Sequence, residues 1–105
     1  MSSTEAWLAI VNPASGGARA ARRWPQVAKS LDRHGVAFET VHTAAGGEGR
    51  AIAERAVRSG RRRLLAVGGD GSVNDVLNGI MAAERAPGDL VTLAPIPLGT
   101  GNDWA

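Results

Sequence analysis

The sequence predicts an α/β fold in three layers, with a mainly parallel sheet of about four strands in the order 2-1-3-4 held between helices. Three observations carry that expectation. Short strand-like runs at 7–11, 36–41, 64–67 and 90–96 alternate with longer segments whose apolar residues recur at helical period. Strands that alternate with helices join through right-handed crossovers, which leaves them parallel with their C-terminal ends on one rim. Loops rich in Gly, Asn, Ser and Thr follow the first, third and fourth of these runs, so three polar loops are expected on that rim, where open parallel sheets bind ligands.

Bulk properties set the scale. A chain of 105 residues that is 44% hydrophobic is expected to form one domain, residues 1–105, with a modest core. It has no cysteine, which excludes disulfides and thiolate metal sites and fits a reducing compartment. The opening Met1 to Trp7 has neither the basic segment nor the apolar stretch of a signal peptide, and no run reaches membrane-spanning length, so a cytoplasmic chain is expected. The formal charge is +2, and aromatic residues make up 4% of the chain without a sustained basic stripe, which gives no footing for nucleic-acid binding.

In chain order, Trp7–Val11 is the first strand, and Asn12-Pro-Ala-Ser-Gly-Gly17 ends it with turn formers. Ala18 to about Arg33 is the first helix, with Ala21, Trp24, Val27, Ala28 and Leu31 on one face; Pro25 must kink it or mark its start. Gly35 stops it. Val36–Val41 is the second strand, burying Phe38 and Val36, and Thr43–Gly49 is a loop. Ile52, Ala53, Ala56 and Val57 define a second helix that ends at Gly60, with Arg58 and Arg61 near its negative end.

The centre of the chain is residues 64–81. Leu64–Val67 suits a strand buried on both faces. Gly68, Gly69 and Gly71 strip side chains from a loop that delivers the chain into a helix, and a helix N-terminus reached through such a loop is a ready phosphate site. Ser72 reads as the N-cap and Asp75 completes an acidic capping box, after which Val73, Val76, Leu77, Ile80 and Met81 share one face. The loop lacks the Lys of a Walker A motif, and Asn74 stands where the dinucleotide fingerprint G-x-G-x-x-G needs its last glycine. Ala86–Asp89 is a turn, and Leu90–Ile96 is a strand that Pro95 and Pro97 confine to a sheet edge or a strand end. Leu98-Gly-Thr-Gly-Asn-Asp103 is the third glycine-rich loop.

A carboxylate at the tip of a phosphate loop repels the ligand unless a cation or a substrate hydroxyl intervenes. Asp70 is therefore a candidate for placing Mg²⁺ or orienting an acceptor alcohol, against the simpler reading that it fixes the turn through its own backbone. Asp103 has a weaker case, since Asn102-Asp103 could cap a following helix. His34 and His42 have no metal-like spacing, and Arg61–Arg63 reads as a solvated strand entrance, with acidic lipid headgroups as the alternative partner.

Asn12-Pro-x-Ser-Gly, Gly68-Gly-Asp-Gly-Ser-Val-Asn-Asp-Val-x-Asn-Gly79 and Pro97-Leu-Gly-Thr-Gly-Asn-Asp103, in this order and spacing, resemble the catalytic domain of the diacylglycerol kinase family, which includes bacterial lipid kinases and sphingosine and ceramide kinases. The Gly-Gly-Asp-Gly element alone is also similar to NAD kinases and phosphofructokinases. The resemblance implies a Rossmann-like N-terminal domain that binds ATP through Asn12, Ser15 and Gly16, then Gly68, Gly69, Asp70, Gly71, Ser72 and Asn74, then Gly99, Thr100, Gly101 and Asn102, with Thr43 as a further contact. Ser72 and Asp75 stand for the commoner Thr and Glu and keep the hydroxyl and the carboxylate.

It also implies Mg²⁺ at Asp70, a lipid alcohol such as diacylglycerol or a long-chain base as acceptor, and peripheral contact with a membrane. Members of the family continue into a β-rich domain that carries the general base and the main magnesium site, so this chain is expected to be the N-terminal part of a longer kinase, inactive alone and prone to form homodimers. An NAD kinase-like phosphotransferase and a non-catalytic, self-associating nucleotide-binding module are the alternative readings.

Overall fold

The computed structural model describes residues 6–44 and 47–98, and shows four strands and three helices alternating along the chain. The strands are β1 (Trp7–Val11), β2 (Phe38–His42), β3 (Arg63–Gly68) and β4 (Thr92–Pro97); the helices are α1 (Ser15–Arg33), α2 (Glu48–Arg58) and α3 (Asp70–Ala82). All neighbouring strands are parallel, and the sheet order is β2-β1-β3-β4, the order expected from sequence. The first crossover runs opposite in direction to the other two. Right-handedness therefore puts α1 on one face and α2 with α3 on the other.

Each face has its own core. Ile10, Leu64 and Ala66 meet Ile52, Ala53 and Val57 of α2 and Val76 and Ile80 of α3. Ala9, Val11, Leu65 and Val67 meet Ala20 and Trp24 of α1, and Trp24 packs edge-on against Phe38 at 5.9 Å. β3 is buried from Leu64 to Gly68, which explains its unbroken apolar spelling; burying each large side chain there stabilises the fold by roughly 1.5–3 kcal/mol.

The prolines of β4 lie where they cost nothing. Thr92 and Leu98 donate their N–H groups inward, to Arg62 and Gly68 carbonyls, so by alternation Leu93, Pro95 and Pro97 face away from the sheet. The missing donors are on the outer edge, and β4 is closed to a fifth strand on that side. Leu90 lies before the strand and is exposed, because the Ala86–Asp89 turn, with Gly88 at φ +85°, delivers the chain at Thr92 instead.

Several local expectations are corrected. Positive φ at Gly16, Gly17 and Ala18 interrupts α1 near its start, whereas the backbone stays helical through Pro25. The buried side of α1 carries Ala20, and Ala21 is exposed. β2 starts at Phe38, and both Phe38 and Val36 are half-buried because a single helix covers that flank. On α3, Val76 and Ile80 are buried while Leu77 and Met81 are exposed, since the helix shares its inner side with α2 and leaves its other flank uncovered above β4.

Arg61–Arg63 is not a solvated run. Arg61 pairs with Glu39 at 2.6 Å, and the Arg63 guanidinium stacks over Trp7 at 6.0 Å. Arg62 donates to both Asp89 oxygens, at 2.7 and 2.6 Å, and to the Val57 carbonyl. The hydrogen bonds from Arg62 hold the Asp89 carboxyl below the ordinary carboxylate range. A lowered folded-state value contributes stability that is complete above the unfolded-state pKa, about 3.9, and is lost as pH falls through the folded value. Asp89→Ala, which lacks that contribution at every pH, should therefore lose less of its own neutral-pH stability on acidification than wild type does, in denaturant unfolding followed by circular dichroism. Coincident normalised acid limbs would remove Asp89 from the account.

Candidate functional site

The C-terminal ends of β1, β2 and β3 bring the first two glycine-rich loops and Thr43 to one rim. Asn12 directly follows β1, and its N–H still donates to the Val67 carbonyl of β3, which fixes the first loop against the second. The Asn12 side chain does two jobs: Oδ1 accepts from the Ala14 N–H at 3.2 Å, and Nδ2 donates to Ser72 Oγ at 3.2 Å. Ser15 Oγ lies 3.2 Å from the same Ser72 oxygen. Two side chains of the first loop thus converge on the hydroxyl of one residue of the second, Ser72, which is buried at 9% exposure.

Ser72 is therefore not the N-cap of α3. Gly69 is, without a side-chain cap, and the Ser72 and Val73 N–H groups both bond the Gly69 carbonyl. The capping box fails because the Ser72 hydroxyl is turned across the rim to Asn12 and Ser15, where it ties the two loops together. Asp75 is placed differently too. It lines a small pocket with Asn12, Thr43, Gly47, Gly49 and Ser72. The cavity measures only about 10 Å³, room for roughly one water, so any larger ligand must lie over the rim and not inside it. Thr43 is buried, its N–H donating to the Val11 carbonyl at 2.8 Å.

The glycines of the second loop have different reasons. At Gly68 φ is +152°, and an added Cβ would collide with Ser72 Oγ and come within 2.7 Å of Ser15 Oγ, so this glycine lets both hydroxyls close over the backbone. Gly69 is extended, a conformation open to any residue. Gly71 has no positive φ, and a Cβ there meets nothing within 4 Å. Alanine at this position would therefore meet neither backbone strain nor an internal clash. Gly71→Ala should keep the wild-type melting temperature within a few degrees, because helix interiors favour alanine. A loss of ATP affinity in that variant, measured by calorimetry, would then report the ligand's approach to the loop. Unchanged affinity would mean that no ligand comes near Gly71.

Asp70 opens α3, where the helix dipole favours a negative charge, and its side chain is exposed. Among the described residues its carboxylate has no hydrogen-bond or ion-pair partner, which speaks against a turn-fixing role. It stands with Gly68, Gly69 and Asn74 at the mouth of a groove of about 400 Å³ whose further walls are Val73, Leu77, Pro95 and Pro97. The head of α3 thus separates two surroundings. Asn12, Thr43 and Ser72 gather on the side of α2, with Ser15 reaching Ser72 from the start of α1; Asp70 and Asn74 line the groove on the side of β4. Gly16 lies at φ +62° in the first loop. Gly99, Thr100, Gly101, Asn102 and Asp103 lie outside the described residues.

No group of three or more His, Cys, Asp or Glu side chains suited to a metal occurs among the described residues. Asp70 alone fits a narrower role, because Mg²⁺ is commonly held by one or two carboxylates together with substrate phosphates. A larger cavity, about 840 Å³, is elsewhere, on the flank of β2 between Val41 and Arg55. Asp75 is the rim residue that sequence reasoning assigned to capping; its position three residues after Ser72 was visible, but its direction was not.

Comparison with known proteins bears on this geometry. At 37% identity over 95 residues, the chain aligns with a diacylglycerol kinase of Staphylococcus haemolyticus (strain JCSC1435), covering 90% of the chain and 28% of that relative. A diacylglycerol kinase of Bacillus subtilis (strain 168) is 33% identical over 96 residues, covering 91% of the chain and 30% of the relative. The chain therefore spans less than a third of the length of these relatives. Two solved structures of a Bacillus anthracis str. Sterne protein described as a diacylglycerol kinase superpose with TM-scores of 0.75 and 0.65 at 29% identity, covering 94% of this chain and 34% and 35% of theirs. The family profile for the diacylglycerol kinase catalytic domain matches residues 6–105, and the chain belongs to that family.

Proposed function

We propose that this chain is the ATP-binding part of a lipid kinase that transfers the γ-phosphate to a lipid alcohol, with diacylglycerol as the acceptor class its relatives' names suggest. The observation that carries the reading is the convergence of Asn12, Ser15 and Ser72 at the head of α3, which fixes two glycine-rich loops to each other. The Asp70 and Gly71 N–H groups that open α3 have no intrahelical acceptors, and a loop locked in place presents them to phosphate without reorganisation. Asn12, Ser15, Gly16, Thr43, Gly68, Gly69, Gly71, Ser72 and Asn74 are the proposed nucleotide contacts, and Gly99 to Asn102 complete the set from the sequence motif.

Asp70 is assigned to the acceptor side. Its unpartnered carboxylate, at the mouth of a groove with apolar walls, is suited to orient the alcohol oxygen for in-line attack on the γ-phosphorus. Mg²⁺, held by the phosphates and by Asp70, would neutralise charge on the transferring group. Positioning dominates phosphoryl transfer, so the chain alone is expected to bind nucleotide without turning it over. No described helix is long and apolar enough to cross a membrane, and the proposed contact with a lipid acceptor is peripheral.

Ligand-linked stability tests the reading. ATP with Mg²⁺ at about a hundred times its dissociation constant should stabilise the fold by about 2.7 kcal/mol, read as a rise in melting temperature. Ser72→Ala should weaken that response by disconnecting the loops. A melting temperature indifferent to millimolar ATP would overturn the proposal.

A further inference from the structure

Asp75 is a rim carboxylate that the proposed phosphoryl transfer leaves without work. It is half-buried, and among the described residues it has neither a hydrogen-bond nor an ion-pair partner. Asp70, at the mouth of the groove beside β4, is likewise unpartnered. Five residues separate the two, which carries Asp75 about 7.5 Å further along α3 and round to a different side of it. There it lines the small pocket with Asn12, Thr43, Gly49 and Ser72. The start of α2 is seated close against it, since a Cβ added at Gly49 would lie 3.5 Å from Asp75 Cβ and 3.9 Å from Thr43 Cγ2.

A carboxylate in that position selects what comes to it. It repels phosphate, and no Lys or Arg stands among the residues lining the pocket to offset its charge. An ionised carboxylate only accepts hydrogen bonds, so the group it takes must donate them. The Thr43 hydroxyl, on the same wall, also has no partner among the described residues. On a nucleotide whose phosphates lie at the Asp70 and Gly71 N–H groups, the next donors along the molecule are the sugar hydroxyls. An acidic side chain on a ribose hydroxyl is an arrangement that parallel nucleotide-binding sheets use elsewhere. The pocket interior, about 10 Å³, is too small for the sugar, so the hydroxyls meet the carboxylate from above the rim.

Resting on the nucleotide reading of the rim, we propose that Asp75 binds the 2′- and 3′-hydroxyls of the nucleotide's ribose and makes the site selective for ribonucleotides over their deoxy counterparts. The nucleotide then lies across the head of α3, its sugar on the α2 side and its γ-phosphate toward Asp70 on the β4 side. The two hydroxyls donate to the two Asp75 oxygens, and a charged acceptor strengthens both bonds. An analogue that lacks them covers the carboxylate and gives it no donor, and a site of that kind discriminates sharply.

Calorimetric affinity of the 105-residue chain for ATP and for 2′,3′-dideoxy-ATP, each with Mg²⁺, tests this. Wild type should bind ATP at least tenfold more tightly than the analogue. Asp75→Ala, in a helix interior where alanine is favoured, should keep the wild-type circular dichroism and bind the two nucleotides within about threefold of each other. Asp75→Glu keeps a carboxylate and should keep the preference. Equal affinity of wild type for both nucleotides overturns the proposal and leaves the nucleotide site in place. A preference that survives Asp75→Ala overturns it too, as does an Asp75→Ala variant that loses both nucleotides equally and only when Mg²⁺ is present, which would make Asp75 a metal ligand. Wild type that binds neither nucleotide contradicts the reading of the rim itself, and the role of Asp75 with it.

Discussion

Gly79→Ala should lower the melting temperature of this domain by roughly 10–20 °C. Gly79 is where α3 crosses α2, and its missing side chain lets the two backbones touch. An added Cβ would collide with the Arg50 carbonyl oxygen, and would stand 2.8 Å from Ala53 Cβ and 3.0 Å from the Glu54 nitrogen. Two of those neighbours are backbone atoms of a regular helix, so relief requires α2 to move as a body, and with it Ile52, Ala53 and Val57 in the core. Overpacking of this kind costs about 1–3 kcal/mol and occasionally more, whereas the gain in helix propensity from Gly to Ala returns about 1 kcal/mol at best. Because the neighbours cannot yield singly, a net cost near the top of that range is expected. For a domain of this size, about 1 kcal/mol corresponds to roughly 4–8 °C. Thermal unfolding followed by circular dichroism measures it. A melting temperature equal to wild type would mean that the helices are farther apart than the structure places them.

Asp70→Asn has the largest expected effect on chemistry. In a catalytically competent polypeptide that carries this domain, turnover should fall by about a hundredfold or more, the scale found when one charged or hydrogen-bonding group is removed from a transition state. The fold should not notice. The Asp70 carboxylate has no partner among the described residues, and the loss of its favourable interaction with the helix dipole amounts to about 0.3–1 kcal/mol. ATP affinity should hold or rise slightly, since a negative charge near the phosphates is removed. Rapid-quench turnover, calorimetric affinity and melting temperature on the same variant separate the roles. Unimpaired turnover alongside a lowered melting temperature would return Asp70 to a turn residue.

The parts of the fold that follow from alternation and from backbone chemistry were legible in the sequence. That the strands run parallel with the glycine loops on one rim follows from their alternation with helices, and Pro95 and Pro97 announce an edge or a strand end because a proline cannot donate to a ladder. Local periodicity, however, reports which residues share a side of a helix and not how far the neighbours extend. Val73, Val76, Leu77, Ile80 and Met81 share a side, yet α2 and the sheet cover only part of it, and Leu77 and Met81 emerge exposed.

Long-range pairing is invisible in the same way. The basic run Arg61–Arg63 looks solvated until the fold brings Glu39, Asp89 and Trp7 to it. The site shows both cases. Asn12, Ser15, Thr43 and Ser72 were placed on the rim by their loops, and the structure brings them together. The role of Ser72 was misread because a serine three residues before an acidic residue at a helix start is the local signature of a cap, and only the approach of Asn12 and Ser15 from 57 to 60 residues away turns its hydroxyl elsewhere.

The central claim is that the rim of glycine-rich loops is where nucleotide binds, and the most direct measurement is an amide-resolved titration of the isotope-labelled chain with ATP and Mg²⁺. The account predicts saturable shifts at Asn12 to Gly17, at Thr43 and at Gly68 to Asn74, with residues at the opposite end of the sheet, Arg61 to Arg63 and Arg85 to Asp89, left in place. Shifts confined to that opposite end would contradict it.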